Sequence, residues 1–219
     1  MLTNRLLLRP FESSDVEAAF EWFSDPAVMR FTPSGPDKSI DDTNARLKKY
    51  QEHQIVHGFS KWIVLDRETD RPIGDAGLLV LQDYDWIDFG YRLAQSYWGK
   101  GLATEAGSEW IRAAFDQFQI DRLTAFVHPE NVASIRVLHK LGFGEDRQEA
   151  IMGINQFSIR LRGTLELSPT GRPRPGKLSY QSLTHRRALS TLRSYRVNYT
   201  ARLRAAIFCP SHIFRLPSI

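Results

Sequence analysis

The segment Gln95-Ser96-Tyr97-Trp98-Gly99-Lys100-Gly101-Leu102-Ala103-Thr104 decides the reading of this chain. Before it, Trp86 to Leu93 (WIDFGYRL) alternates like a strand. After it, Ala103, Ala106, Trp110, Ala113, Ala114 and Phe118 recur near the 3.6 period, which predicts a helix over Leu102 to Phe118. A glycine-bearing loop between a strand and a helix suits phosphate. The first N–H groups of a helix have no partner within it, and the helix dipole places partial positive charge there. Gly99 and Gly101 remove Cβ atoms that would block a close backbone approach. Ala103 keeps bulk low, Thr104 offers a hydroxyl and Lys100 adds charge. The Walker A pattern is absent, and the dinucleotide fingerprint would need glycine at position 104, which is Thr. Alone, the segment reads equally well as a tight strand-to-helix turn.

Upstream, Asn4 to Pro10 reads as a first strand. Ser14 and Glu17 have the spacing of a capping box for a helix carrying Val16, Ala19, Phe20 and Phe23, which Asp25-Pro26 stops. Phe31 to Asp37 is a loop and Ser39 to His57 is a polar helix. Phe59 to Asp66, Pro72 to Leu81 and Trp86 to Leu93 form an antiparallel meander, with turns at Arg67–Arg71 and Gln82–Asp85. Downstream come a strand at Asp121 to Val127, a turn at His128-Pro129-Glu130 and a helix from Asn131 to Leu141, closed by Gly142. A strand at Gly153 to Arg162, preceded by one near Arg147 to Met152, ends the pattern. This order predicts an α/β fold, a mixed sheet with helices on both faces, as one domain over residues 1–166.

The net charge of +4 suggests an anionic partner. Residues 1–166 hold 19 Lys and Arg against 25 Asp and Glu, a net of −6, while 167–219 hold 10 Lys and Arg and no acid. The chain is an acidic body with a basic C-terminal extension. Ser168 to Lys177 (SPTGRPRPGK) reads as a linker, and the remainder to Ile219 as a disordered tail. The alternatives for the tail are an RNA- or ribosome-binding arm, in which arginines interleave with Tyr180, Tyr195 and Tyr199, and a stretch without selected function. The lone cysteine, Cys209, excludes an internal disulfide and a multi-cysteine metal site and suits a reducing compartment, so the expected location is cytoplasmic. No apolar run approaches the roughly 18 residues of a membrane span. The N-terminus, interrupted by Arg5 and Arg9, reads as a strand and not as a signal peptide.

One strand beyond the loop lies Asn131-Val132-Ala133-Ser134-Ile135-Arg136-Val137-Leu138-His139-Lys140-Leu141-Gly142-Phe143. By itself this is ordinary helix punctuation. Together, YWGKGLATEA and NVASIRVLHKLGF resemble the two cofactor-binding motifs of the GNAT acetyltransferases, above all the branch with the ribosomal-protein-alanine N-acetyltransferases. The opening RLLLRPFESSDVEAAFEWFSDP is similar to the start of that branch, and the likeness covers about residues 3–165.

The resemblance implies a mixed, mainly antiparallel sheet. It also implies transfer of an acetyl group from acetyl-CoA to a primary amine, a protein N-terminus or a small molecule, by direct attack. It places the CoA pyrophosphate on the amides of Gly99, Lys100, Gly101, Leu102, Ala103 and Thr104. Trp98 falls where the family carries a polar residue. The backbone of Arg92 and Leu93 would meet the pantetheine amides, and Asn131 and Ser134 would contact the cofactor. The family's acidic tyrosine falls on Leu138, which cannot protonate a thiolate; Ser134 or a water takes its place. Asp88 is the leading base, with His128 and His139 as alternatives, and Tyr91 and Trp62 could line the acceptor slot. A rival reading is a CoA-binding body without turnover, with the tail on RNA.

Overall fold

The computed structural model describes residues 1–81 and 86–144 with their side chains, and the backbone of 145–150, 157–163, 166–167 and 173–174. All belong to one unit, Met1–Lys177. The expected turn at Gln82–Asp85, Cys209 and nearly all of the basic extension lie outside the described residues.

The first strand, β1 (Leu6–Pro10), leads through a 3₁₀ turn at Ser13–Asp15 into α1 (Val16–Phe23). The expected Ser14/Glu17 box does not form this start. Asp15 does: its carboxylate accepts the Glu12 N–H at 2.7 Å and is gripped by both terminal nitrogens of Arg9, each at 2.7 Å. An acid three residues beyond Glu12 reaches back to that amide, and a cation on β1 neutralises it. Asp25-Pro26 ends α1, but it also starts a short helix, α2 (Pro26–Met29), which sequence patterning does not predict. Asp25 accepts from the Ala27 N–H at 2.8 Å, and proline at the first position gives up only an amide that would go unpaired.

Next in the chain are α3 (Ile40–His57), β2 (Lys61–Asp66), β3 (Pro72–Leu81), β4 (Trp86–Leu93), α4 (Leu102–Asp116), β5 (Leu123–Val127) and α5 (Val132–Lys140). The closing hairpin is β6 (Gly144–Ala150) with β7 (Phe157–Gly163), earlier in its first strand than expected. GEDRQEA has no apolar alternation, so only its pairing with β7 reveals it as a strand. A small pair, β8 (Glu166–Leu167) with β9 (Pro173–Arg174), comes last.

The main sheet runs β1-β2-β3-β4-β5-β7-β6. Every neighbouring pair is antiparallel except β4 with β5. Strand alternation feeds two cores. On one face Leu6, Leu8, Val64, Ala76, Leu78 and Phe89 pack with Ala106, Trp110 and Ala114 of α4 and Leu138 of α5. On the other, Ile63 and Leu65 pack with Ala19, Trp22 and Phe23 of α1 and Leu47 and Tyr50 of α3. Trp110 is buried and meets Trp62 edge-on, with ring centroids 5.0 Å apart. Trp110→Ala should cost about 3–5 kcal/mol of unfolding free energy, read by denaturant titration. A loss under about 1 kcal/mol would deny Trp110 its place in the core.

Candidate active site

The site begins where the sheet opens. β3 and β4 pair along the whole of Trp86–Leu93, whereas the described ladder between β4 and β5 consists of the single pair Asp88↔Thr124. At that point the Asp88 carboxylate accepts the N–H of Phe126, on β5, at 3.1 Å. A side chain thus satisfies an amide turned toward β4. Burial pushes the Asp88 carboxyl up to about 6, against the nearby Lys61 ammonium, the Phe126 amide and Arg92, which all favour the charged form.

Behind Asp88, toward α1 and α3, lies a layer of buried charge. Lys61 is 4% exposed, and its ammonium donates to the carbonyls of Gly77 at 2.9 Å and Gly90 at 2.8 Å. Burial brings its pKa down to about 8, with Asp88 and Asp75 opposing that shift and Arg92 adding to it. Asp75, at 0% exposure, takes two bonds from Arg92, at 2.9 and 2.6 Å, and one from the Trp22 indole at 3.2 Å. Arg92 also donates to the Tyr50 hydroxyl at 2.9 Å and stacks over Phe23. Burial works against its charge, but Asp75 and Tyr50 raise its pKa above the usual arginine value. This side chain holds the sheet to α1 and α3.

β4 runs on into a 3₁₀ turn at Gln95–Tyr97 and then into the loop. Gly99 (φ +73°) and Gly101 (φ +77°) are both left-handed. A Cβ on Gly99 would meet nothing within 4 Å, and one on Gly101 only the Arg5 guanidinium at 3.7 Å. The backbone conformation at both positions favours glycine, and no neighbouring protein atom crowds either one. The space over the loop is open. Gly101 caps α4 without a side chain, so the amides of Leu102, Ala103 and Thr104 keep no partner within the helix. Trp98 is 50% exposed and donates its indole N–H to the Leu93 carbonyl at 2.7 Å, tying loop to strand. Lys100 lies over the Tyr97 ring, 5.0 Å from its centroid.

On the α5 side, Asn131 accepts the Ser134 N–H at 3.2 Å and caps the helix. The Tyr91 hydroxyl donates to Ser134 Oγ at 3.2 Å, so β4 and α5 are joined by their side chains. Leu138 is 3% exposed and belongs to the core. Trp62 is occupied by Trp110 and by Gln54, to which its indole donates at 2.7 Å. His128 stacks on Phe31, with centroids 5.1 Å apart, and His139 is exposed on α5. Among the described residues the hydrogen bond to the Asp88 carboxylate comes from Phe126 and from neither histidine.

Residues 5–144 match the family described as the acetyltransferase (GNAT) domain. The chain belongs to the GNAT acetyltransferase family. As such it is an N-acetyltransferase with acetyl-CoA as cosubstrate. This GNAT enzyme is 29% identical over 147 residues to the protein called "Uncharacterized N-acetyltransferase p20" of Bacillus licheniformis, covering 67% of its own length and 83% of that protein. It superposes on a GNAT-family acetyltransferase from Bacillus anthracis with a TM-score of 0.64 at 25% identity, covering 74% and 95% of the two chains. A ribosomal-protein-S5-alanine acetyltransferase from Vibrio fischeri shares the fold (TM-score 0.64, 20% identity, 75% and 95% covered). So does a spermidine N-acetyltransferase from Vibrio cholerae in complex with CoA and spermine (TM-score 0.61, 20% identity, 73% and 95% covered). Among the described residues of this GNAT chain no helix is long and apolar enough to cross a membrane.

Four residues that shape this GNAT site do not emerge from the sequence patterns above. Lys61 and Asp75 stand as lone charges in apolar strands (KWIVLD and PIGDAGLLVL), a signal that was readable. Arg5 and Glu105 gave none, because they lie about a hundred residues apart. Glu105 accepts from Thr3 Oγ1 at 2.6 Å, Arg5 N at 2.9 Å and Arg5 Nε at 2.7 Å, while Arg5 also donates to the Lys100 carbonyl at 3.0 Å. Burial raises the Glu105 pKa, but these bonds outweigh it and hold the carboxyl below its ordinary value. A depressed carboxylate stabilises the fold above its unfolded pKa and loses that contribution as pH falls through the folded one. Glu105→Ala should therefore cost about 1–3 kcal/mol at pH 7, and the gap to wild type should close below about pH 4. A gap independent of pH, in parallel melts, would rule out the ionic brace.

Proposed function

We propose that acetyl-CoA lies along the opening between β4 and β5, with its pyrophosphate on the amides from Gly99 to Thr104 and its pantetheine along the backbone of Arg92 and Leu93. Two left-handed glycines over open space and an uncapped helix start fit that anion. Asn131 and Ser134 flank the cofactor from α5. When bound, acetyl-CoA supplies a thioester carbonyl for an amine to attack. The acceptor is a primary amine, either a protein N-terminus or a small molecule. The motif likeness favours the first, and structural neighbours of both kinds exist. The acidic body suits a cationic acceptor, and the expected place of action is the cytoplasm.

The observation that carries this reading is the Asp88 carboxylate at the fork of β4 and β5, with a pKa of about 6. It is charged at neutral pH yet basic enough to accept the amine's proton as the N–C bond forms and the C–S bond breaks. Ser134, or a water, returns a proton to the departing sulfur, since Leu138 offers none; the bond from Tyr91 that orients Ser134 supports the first.

Gly101→Glu places bulk and negative charge against the pyrophosphate amides and should abolish the heat of acetyl-CoA binding in calorimetry. Equal binding in a folded variant would remove the loop from the cofactor site. Asp88 loses its proton above about pH 6, so kcat should fall as pH drops through that value. Asp88→Asn should lower kcat by about a hundredfold or more and erase that limb. An unaltered pH profile in this variant would dismiss Asp88 as the base.

A further inference from the structure

The buried lysine has no place in the chemistry so far. Lys61 stands on β2, two strands from β4, yet its side chain crosses β3 to reach a carbonyl of the strand that bears Asp88. An ammonium has three N–H groups. Two are fixed on the carbonyls of Gly77 and Gly90, and the third has no partner among the described residues. The lysine forms no ion pair there. A buried cation held only by carbonyls is costly, and replacing it by an apolar side chain would usually relieve that cost.

The position of Gly90 shows what it faces. A methyl group on Gly90 would lie 2.7 Å from Lys61 Nζ and 3.7 Å from Asp88 Oδ2. A Cβ there would collide with the ammonium, so the glycine leaves the space beside its Cα to Lys61 Nζ, next to the Asp88 carboxylate. A cavity of about 180 Å³ between α3 and β2, bounded by Phe11, Tyr50, Gln54 and Trp62, also reaches Lys61. Among the described residues the other charged or titratable groups around the pair are engaged. Asp75 on β3 and Arg92 on β4 hold each other, with Tyr50 of α3 on Arg92. Arg46 of α3 is paired with Asp37. His53 of α3 has burial driving its pKa to about 4 and both ring nitrogens occupied, by the Phe59 carbonyl and the Val80 N–H. α1 contributes only the Trp22 indole, and β5 the Phe126 amide. Among the described residues Lys61 is thus the cation beside Asp88 that forms no ion pair of its own.

We propose that Lys61 is a positioning residue for acetyl transfer: clamped on Gly77 and Gly90, its ammonium fills the space beside Gly90 and keeps the neighbouring Asp88 in the charged, proton-accepting form. The inference rests on Asp88 as base. A carboxylate at this depth loses hydration when charged, and a cation a few ångströms off offsets that cost. The same cation lowers the proton affinity of Asp88, so what it contributes is a carboxylate already charged when the amine arrives.

The test is the titration of the Asp88 carboxyl carbon by NMR, assigned with Asp88→Asn, in the full chain with Lys61→Met and Lys61→Gln. Glutamine keeps a donor for one carbonyl but not the charge. Both variants should raise the Asp88 pKa by about one unit or more, and the acidic limb of kcat should move up in pH with it. Acetyl-CoA binding by calorimetry should not change. An Asp88 pKa unmoved in either folded variant overturns the proposal, and so does a shift in Lys61→Met that Lys61→Gln abolishes, which would make the role one of hydrogen bonding. If Lys61→Met does not fold, Lys61→Gln decides. Failure of the underlying reading looks different: Asp88→Asn then leaves activity intact whatever Lys61 does to the titration.

Discussion

The structure turns on one broken ladder. β4 pairs with β3 over its full length, but with β5 only at Asp88, and there a carboxylate accepts the Phe126 N–H in place of a main-chain carbonyl. Backbone groups left by a parted pair of strands must be satisfied somewhere. Here one is met by an acid, and that acid thereby sits at the fork where an extended cofactor can enter. The rigidity that makes such an opening tolerable comes from elsewhere. Arg92, Asp75, Tyr50 and Trp22 lock the closed side of β4 to α1 and α3, and removing one partner from a buried pair of this kind costs about 3–5 kcal/mol.

The binding loop obeys the same division of labour. The anion site we propose there consists of amides, which net charge does not count, and the loop's shape is set by φ angles that only glycine adopts readily. The side chains nearby are braces. Trp98 holds the Leu93 carbonyl, Arg5 holds the Lys100 carbonyl, and Glu105 holds Arg5. The basic character of the whole chain has no part in this.

Much of this was legible in sequence because local patterns encode it. Helical spacing marked α4, a cap and a closing glycine marked α5, alternation marked β4, and the glycine spacing marked the loop. Asn131 as a cap and Leu138 as core were readable for the same reason. What escaped is non-local or against pattern. Pro26 starts a helix as well as ending one, because Asp25 caps it. β6 is a strand only through β7. The brace of Arg5 on Glu105 joins residues a hundred apart. Asp88 was legible as the leading base, but not its setting, which depends on Phe126 of another strand and Lys61 of a third.

The central claim is that a fork built around Asp88 transfers acetyl groups as well as binding their carrier. Thiol release from acetyl-CoA, measured with purified protein against a panel of N-terminal peptides and small amines, tests it most directly. The account predicts release that requires an amine, saturates with it and yields one acetylated product per thiol. Tight acetyl-CoA binding with no amine-dependent release from any member of the panel would contradict it.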